Sequence, residues 1–187
     1  MNLPNKLTLF RIILIPFLLL FISFDVFNNM FDLQTRRYIA CAIFAIASIT
    51  DALDGYIARK YNLITNFGKF MDPLADKLLV SATMIALINM PDSIVPLHPI
   101  IVILIISREF LITGFRTIAI EKNIVISAGM SGKIKTVFQM AMLVVLLLNI
   151  DNMLFTNLSY FLIIGSVVLT IYSAVEYIVQ NKEVLKD

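Results

Sequence analysis

The sequence predicts an all-α integral membrane protein with six transmembrane helices, from its composition, its length and the placement of its apolar runs. Hydrophobic side chains make up 59% of the 187 residues, 15% are charged, and the mean hydropathy is +0.90. This composition excludes the ordinary classes of soluble globular domain. At about 20 residues per span, the chain has room for about six crossings. We therefore expect one membrane-embedded domain over residues 1–187, surrounded by the lipid bilayer and without a nucleic-acid partner.

Six apolar runs give the cores of the predicted spans, in chain order 8–22, 37–49, 78–90, 94–106, 137–150 and 158–179. The first run begins like a signal peptide, but no small-residue cleavage site follows it, so we expect a helix of the mature protein. Several runs are shorter than a full crossing, so their helices must continue through polar residues. Such residues must lie at an interface or in a protein-lined cavity. Pro91 and Pro96 predict the break between the third and fourth spans.

The basic residues predict the orientation of the spans. With both termini in the cytoplasm, thirteen of the 15 Lys and Arg residues fall on the inner side, and only Arg36 and Arg37 fall outside. This asymmetry is what the positive-inside rule describes. Basic inner loops can also be topology signals with no further role.

Four aspartates lie within 26 residues, at the inner end of the second span and the start of the third: Asp51, Asp54, Asp72 and Asp76. One carboxylate at a helix centre costs about 2.5 to 3.5 kcal/mol on insertion scales, so four beside apolar runs require compensation. Asp51 and Asp54 are three residues apart, and Asp72 and Asp76 continue a four-residue spacing from Gly68, so each set shares a helix face. Two antiparallel helices can thus direct all four acids into one cleft. Gly55, Ala58 and Arg59 continue or border the first stripe.

The chemistry of these side chains favours hard divalent cations. Like charges this close repel one another unless cations neutralise them. One Cys and one His cannot form a disulfide within the chain or the usual zinc or copper site, whereas carboxylates suit Mg²⁺ or Mn²⁺. Four carboxylates balance the charge of two such ions, and a two-metal site is typical of phosphoryl transfer. The alternative is that the acids pair with basic residues at the membrane surface: Arg59, Lys60, Lys69 and Lys77.

The segment DALDGYIAR at 51–59, followed after eight residues by GKFMDPLAD at 68–76, resembles the signature of the CDP-alcohol phosphatidyltransferases. The resemblance implies a two-metal enzyme that transfers a phosphatidyl group from a CDP-linked lipid to an alcohol and releases CMP. It implies that the four aspartates ligate the metals and that Asp76 also acts as the base. It further implies that the nucleotide and its diphosphate lie near Gly55, Ala58, Arg59 and Gly68.

A second basic cluster points to the acceptor alcohol. Arg108 and Arg116 lie on nearly one stripe if the fourth span continues inward, and Lys133 and Lys135 begin the fifth. Facing the acids, these side chains could bind a phosphorylated acceptor, because Arg and Lys both bind phosphate oxygens. The alternative is again an inner-loop topology signal.

The segments SREFLITGFR at 107–116 and SGKIKTVFQM at 131–140, with the opening NLPNKLTLFR at 2–11, are similar to the bacterial phosphatidylglycerophosphate synthases. This similarity implies CDP-diacylglycerol and sn-glycerol 3-phosphate as substrates, a homodimer, and a bacterial cytoplasmic membrane with the site facing the cytoplasm. Inositol phosphate remains open as an acceptor. Asn5 and Thr8 either contact the nucleotide or simply begin the first helix.

Two other classes of protein use intramembrane acids. An ion or proton transporter would distribute its carboxylates across the membrane depth. An intramembrane prenyltransferase would need more helices and two acidic motifs far apart in the sequence. The single compact group of aspartates favours a phosphatidyltransferase that works by direct displacement, since no Ser, Cys or His arrangement for a covalent intermediate is evident.

Overall fold

The computed structural model describes residues 2–23, 27, 29–61, 65–122 and 129–185, and it confirms the six predicted helices. A short 3₁₀ turn, Lys182–Leu185, follows the last of them. The helices are α1 Leu3–Ser23, α2 Leu33–Lys60, α3 Asn66–Ile88, α4 Pro99–Glu121, α5 Met130–Leu148 and α6 Met153–Gln180.

Four of these helices contain segments long and apolar enough to cross a membrane: Pro4–Ser23, Leu33–Gly55, Met130–Leu148 and Met153–Gln180. The other two, α3 and α4, each carry four charged residues: Lys69, Asp72, Asp76 and Lys77 on α3, and Arg108, Glu109, Arg116 and Glu121 on α4. Multiple apolar helices of this kind define a multi-pass membrane protein.

The prediction for the fourth span is wrong at its start. Residues 94–98 precede the helix, which begins at Pro99 and continues to Glu121, well beyond residue 106. Proline suits the first turn of a helix, because the missing N–H has no helical partner there. The backbone N–H of Ile94 instead donates to Oδ1 of Asn149, 2.9 Å away. Extension of α4 brings its charged residues into the fold, as expected for a helix continuing through polar residues.

The helices bury a shared apolar core and expose apolar side chains around it. α1 packs against α2 and α3, α2 against α5, α5 against α6, and α4 against α3 and α6. The core includes Leu18, Phe44, Leu79, Met84, Ile105, Leu143 and Ile163. Every helix also exposes large apolar side chains, such as Phe17, Ile46, Ile85, Ile103, Val137 and Ile164. An apolar outer surface on all six helices fits contact with lipid.

Arg37 ties together the end of the bundle opposite the aspartates. Its guanidinium is fully buried and donates to the carbonyl of Pro91 (2.7 Å), to Oγ of Ser93 (2.9 Å) and to the carbonyl of Leu146 (3.3 Å). Three donors in a fixed fork suit a site where several chain segments end together. This arginine therefore joins α2 to the loop after α3 and to the end of α5.

Asp32 caps the start of α2. Its carboxylate accepts from the backbone N–H of Thr35 (3.1 Å) and from the Thr35 hydroxyl (2.5 Å). These two donors lower the pKa of Asp32, because they stabilise the charged form. The cap satisfies a backbone donor that α2 itself leaves unpaired.

A second, smaller apolar cluster lies near the C-terminal end of α4. The 3₁₀ turn contributes Val184, which is 1% exposed, and it packs with Ile112, Phe115, Ala119 and Tyr177. The rings of Phe115 and Tyr177 meet edge to face with 5.7 Å between centroids. This cluster joins the C-terminal ends of α4 and α6 to the 3₁₀ turn.

Gly165 of α6 packs directly against Phe138 of α5. A Cβ atom at this position would lie 2.7 and 2.8 Å from two ring carbons of Phe138, well inside van der Waals contact. We predict that Gly165→Ala lowers the free energy of unfolding by about 1 to 3 kcal/mol through overpacking. Thermal unfolding of the detergent-solubilised protein measures the effect.

Gly114→Ala is the matched control, because no atom lies within 4 Å of a Cβ added there. Alanine in a helix interior is more favourable than glycine by about 1 kcal/mol, so this variant should be at least as stable as the parent protein. Equal unfolding temperatures for the two variants would contradict a close contact of α5 with α6 at this point.

Candidate active site

Arg11 of α1 lies between two of the four aspartates. Its Nη1 is 2.5 Å from Oδ1 of Asp51, and its Nη2 donates a hydrogen bond to Oδ2 of Asp54. The arginine side chain is fully buried and that of Asp54 is 4% exposed, whereas Asp51 keeps 35% exposure. A carboxylate buried to this degree needs a cationic or hydrogen-bonding partner. Arg11 therefore supplies part of the compensation that the sequence requires.

Thr8 connects the third aspartate to the same helix. Its buried hydroxyl donates to Oδ1 of Asp72 at 2.7 Å. Thr8 and Arg11 are three residues apart and share a face of α1, so α1 contacts the acids of both α2 and α3. The first helix thereby holds the aspartate pairs of two other helices in one region.

Asn5 fixes the first turn of α1 to the start of α3. Thr65 caps α3 by accepting from the N–H of Gly68 (3.0 Å), and its hydroxyl donates to Oδ1 of Asn5 (2.9 Å). A Cβ atom at Gly68 would lie 3.1 Å from that Asn5 oxygen and 3.6 Å from Oδ2 of Asp72. The close approach of α1 thus gives a packing reason for glycine at position 68, which the sequence alone did not suggest.

The four predicted metal ligands lie on the C-terminal part of α2 and the N-terminal part of α3. Asp54 interacts electrostatically with Asp51 and Asp72, and Asp76 interacts with Asp51. Within the described part of the chain, no three His, Cys, Asp or Glu side chains form a group that could hold a metal ion. Arg11 is in direct contact with two of the four carboxylates, those of Asp51 and Asp54.

The donor set nevertheless fits hard divalent cations. All four candidate ligands are carboxylates, which Mg²⁺ and Mn²⁺ prefer. One guanidinium carries a single positive charge, so it leaves most of the negative charge of the four acids uncompensated. Asp51 and Asp72 are both partly accessible, which leaves carboxylate oxygens open to an ion.

Other predicted nucleotide contacts are less fully described. Gly55 directly follows Asp54 on α2 and is partly buried. The side chains of Ala58 and Arg59 lie outside the described residues. Their proposed contacts with the nucleotide remain predictions.

All four residues of the second basic cluster line one cavity of about 250 Å³: Arg108, Arg116, Lys133 and Lys135. Asp76 lines the same cavity, so the candidate base and the candidate phosphate ligands face a common space. That these cations bind the acceptor remains a prediction.

Each arginine of this cavity is held by a residue of α6. Nη2 of Arg108 donates to Oγ of Ser173 at 2.9 Å. Nε of Arg116 donates to the hydroxyl of Tyr177 at 3.0 Å, and its guanidinium lies 5.4 Å from the centre of the tyrosine ring. Ser173 and Tyr177 are four residues apart on α6, so one helix face positions both arginines.

Two of the three lysines that line this cavity have partners on α4. Nζ of Lys135, a residue 3% exposed, forms an ion pair with Oε1 of Glu109, and Nη1 of Arg108 lies 3.5 Å from the same oxygen. Nζ of Lys77 donates to the hydroxyl of Thr113. Lys77, which directly follows Asp76, also lines the cavity.

Sequence reasoning missed most of these supporting residues. It counted Arg11 and Lys77 only as inner basic residues or surface partners, and it assigned no role to Glu176, which lines the cavity. Ser173 and Tyr177 lie in an apolar run, where two polar side chains four residues apart were the available signal. Glu109 follows Arg108 directly in the sequence, and the two side chains lie within ion-pair distance of each other.

A model of the CDP-alcohol phosphatidyltransferase family matches residues 1–172, and the chain belongs to this family. It is 42% identical to the CDP-diacylglycerol–glycerol-3-phosphate 3-phosphatidyltransferase of Bacillus subtilis (strain 168), over 99% of this chain and 97% of that relative. It is 38% identical to the protein of the same name from Rickettsia felis, over 91% and 86%. A probable phosphatidylglycerophosphate synthase of Mycobacterium tuberculosis (strain ATCC 25618 / H37Rv) is 34% identical over 95% and 80%.

These comparisons confirm the resemblance that rests on the motif at 51–76. The family is generally dependent on divalent metals, which agrees with the expected use of a hard cation. The identity and number of the ions remain predictions.

Replacement of Arg11 tests the link between the aspartates and a divalent cation. We predict that Arg11→Met destabilises the protein in chelating buffer by about 3 to 5 kcal/mol, the usual cost of leaving a buried charge without its partner. Mg²⁺ or Mn²⁺ should restore more stability to this variant than to the parent protein, because the ion stabilises the folded state that binds it. Thermal unfolding with and without metal measures both effects.

Lys6→Met removes an exposed positive charge from the same helix and serves as the control. Its metal-dependent stabilisation should equal that of the parent protein. A metal response in Arg11→Met no greater than that of Lys6→Met would argue against divalent binding by these aspartates.

Proposed function

We propose that this chain transfers the phosphatidyl group of CDP-diacylglycerol to sn-glycerol 3-phosphate, giving phosphatidylglycerophosphate and CMP. The family match defines the reaction type, and the relatives named above carry this activity in their names. In this reaction, each group of site residues binds a different portion of the two substrates.

The position of Asp76 is the observation that carries the proposal. This carboxylate continues the stripe of Asp72 on α3, and it also lines the cavity that contains Arg108, Arg116, Lys133 and Lys135. A phosphate bound by these cations would place the remainder of a small acceptor beside a carboxylate. The reacting hydroxyl and its base are thereby brought together.

The reaction proceeds by direct displacement at the phosphorus that carries diacylglycerol. Asp76 accepts the proton of the primary hydroxyl, whose oxygen forms the new bond to phosphorus while the bond to the CMP oxygen breaks. Mg²⁺ or Mn²⁺ held by Asp51, Asp54, Asp72 and Asp76 would supply charge stabilisation for the diphosphate. Arg108 and Arg116, fixed by α6, bind the acceptor phosphate in one orientation.

The CDP-lipid occupies the side of the site formed by α1, α2 and the start of α3. Asn5, Thr8, Gly55, Ala58, Arg59 and Gly68 border the nucleotide and diphosphate in this proposal. Lipid tails remain in the bilayer, since the helices expose apolar side chains. We place both termini and the site on the cytoplasmic side of a bacterial cytoplasmic membrane, and we expect a homodimer of single-domain chains over residues 1–187.

An acceptor assay tests the proposed reaction. Purified protein with CDP-diacylglycerol and Mg²⁺ should release CMP with sn-glycerol 3-phosphate and much less with inositol phosphate or serine. The reason is that the cavity offers several cations for a phosphate but must also fit the rest of the acceptor. CMP release and the phospholipid product are measured. A preference for inositol phosphate or serine would refute this choice of acceptor.

Asp76→Asn in the same assay should abolish turnover, because the amide neither takes the proton nor carries the charge needed by a metal ligand. Asp92→Asn, in the loop between α3 and α4, removes an equal charge away from the cavity and should retain activity. If Asp76→Asn turned over at a rate close to that of the parent protein, Asp76 would have no essential part in the mechanism.

Lys133 is the most exposed of the three lysines that line the cavity, and it tests where the acceptor binds. Lys133→Ala should raise the KM for sn-glycerol 3-phosphate about fivefold, as expected for an exposed ion pair worth about 1 kcal/mol, and leave the KM for CDP-diacylglycerol nearly unchanged. Lys182→Ala, on the exposed side of the 3₁₀ turn, is the control. Equal changes in both KM values would contradict acceptor binding at this cluster.

A further inference from the structure

Glu109 is a carboxylate in the cavity that is also lined by the four residues of the second basic cluster. Its Oε1 pairs with Nζ of Lys135 and lies 3.5 Å from Nη1 of Arg108. Both cations are among the proposed ligands of the acceptor phosphate. One carboxylate oxygen of the protein therefore contacts two of the groups to which the phosphate should bind.

Burial makes this contact important for anion binding. The Lys135 side chain is 4% exposed and the Glu109 side chain 20% exposed. An ammonium that is largely removed from water gains strongly from any anion that reaches it, because water screens the interaction poorly there. A bound phosphate must share Lys135 with Glu109 or displace the carboxylate from it, and either process lowers the net gain from phosphate binding.

Glu176 provides an internal comparison. It also lines the cavity, but its Oε1 accepts a hydrogen bond from Nε2 of Gln180 at 3.2 Å. The two acids therefore add the same charge to one cavity, but Glu109 is the one paired with the proposed phosphate ligands. A difference in phosphate affinity between variants of these two acids therefore distinguishes direct competition from the effect of the cavity's overall charge.

We propose that Glu109 is an internal counter-ion that occupies Lys135 and Arg108 when the cavity is free, and that it competes with the acceptor phosphate. This inference rests on the proposed function. The product of that reaction keeps the acceptor's phosphate, so a cavity that bound the phosphate too tightly would also retain the product. Competition from Glu109 limits this affinity and permits release.

Binding of inorganic phosphate to the full-length, detergent-solubilised protein tests the proposal. Glu109→Gln should lower the dissociation constant for phosphate by about tenfold. This factor corresponds to about 1.4 kcal/mol, which is close to the contribution of one hydrogen bond to a charged group. Glu176→Gln should lower it by a clearly smaller factor. Isothermal titration calorimetry measures the constants, and displacement by sn-glycerol 3-phosphate shows that the phosphate occupies the acceptor position.

Steady-state kinetics adds a second readout. Glu109→Gln should lower both the KM for sn-glycerol 3-phosphate and kcat, with stronger inhibition by the phosphorylated product. A residue that merely holds Lys135 and Arg108 in place would act oppositely on binding, because its loss would weaken the phosphate site. Weaker or unchanged phosphate binding in Glu109→Gln therefore overturns the proposal, as does an equal gain in Glu176→Gln.

The protein's folding supplies an independent measurement. Because Glu109→Gln leaves Lys135 without its counter-ion, added phosphate should raise the unfolding temperature of this variant more than that of the parent protein. Glu109→Asp, which keeps the charge on a shorter side chain, should show a smaller response and serves as the alternative if the glutamine variant does not fold. No difference between Glu109→Asp and the parent protein in phosphate affinity would then overturn the proposal.

The outcome also separates this inference from the proposed function. If the parent protein binds no phosphate that sn-glycerol 3-phosphate displaces, the cavity is not the acceptor site and the inference fails with that placement. If the parent protein transfers the phosphatidyl group and binds phosphate as expected, but Glu109→Gln shows no gain, the inference about Glu109 alone fails.

Discussion

The pairing of buried charges is the constraint on which the rest of this structure depends. Carboxylates cannot be placed beside apolar spans without partners, because the membrane offers little water to stabilise them. Arg11 meets this requirement for Asp51 and Asp54, and Thr8 donates to Asp72. Since both partners lie on α1, the first helix must pack against α2 and α3 for the charges to be stabilised.

The two halves of the site are joined through α3. Asp72 contacts α1, and Asp76, one turn further along, faces the cavity built by α4, α5 and α6. In the proposed reaction, the CDP-lipid, which contains the reacting phosphorus, and the acceptor therefore bind to different groups of helices. A four-residue spacing on one helix sets the separation between Asp72, a proposed metal ligand, and Asp76, the proposed base, so this geometry does not depend on a flexible loop.

The sequence predicted the parts of this arrangement that follow from spacing within one helix. Apolar runs predicted six helices, and the aspartate spacing predicted their shared faces. Contacts between helices could not be predicted in this way, because periodicity does not say which faces meet. Arg11 thus appeared to be an ordinary inner arginine, and Ser173 and Tyr177 appeared to belong to an apolar span. The start of α4 was misplaced because residues 94–98 are apolar enough to resemble a helix, although Pro96 suits a loop.

The packing of the 3₁₀ turn beneath α4 has a practical consequence for protein engineering. Val184 is buried against Phe115 and Tyr177, and Tyr177 holds Arg116 in the cavity. A fusion partner joined directly after Leu185 would strain the 3₁₀ turn and, through Tyr177, disturb the position of the Arg116 guanidinium. Purification tags and reporter domains attached at this end therefore need a flexible spacer, whereas shortening the chain before Val184 would uncover an apolar patch and loosen the same arginine.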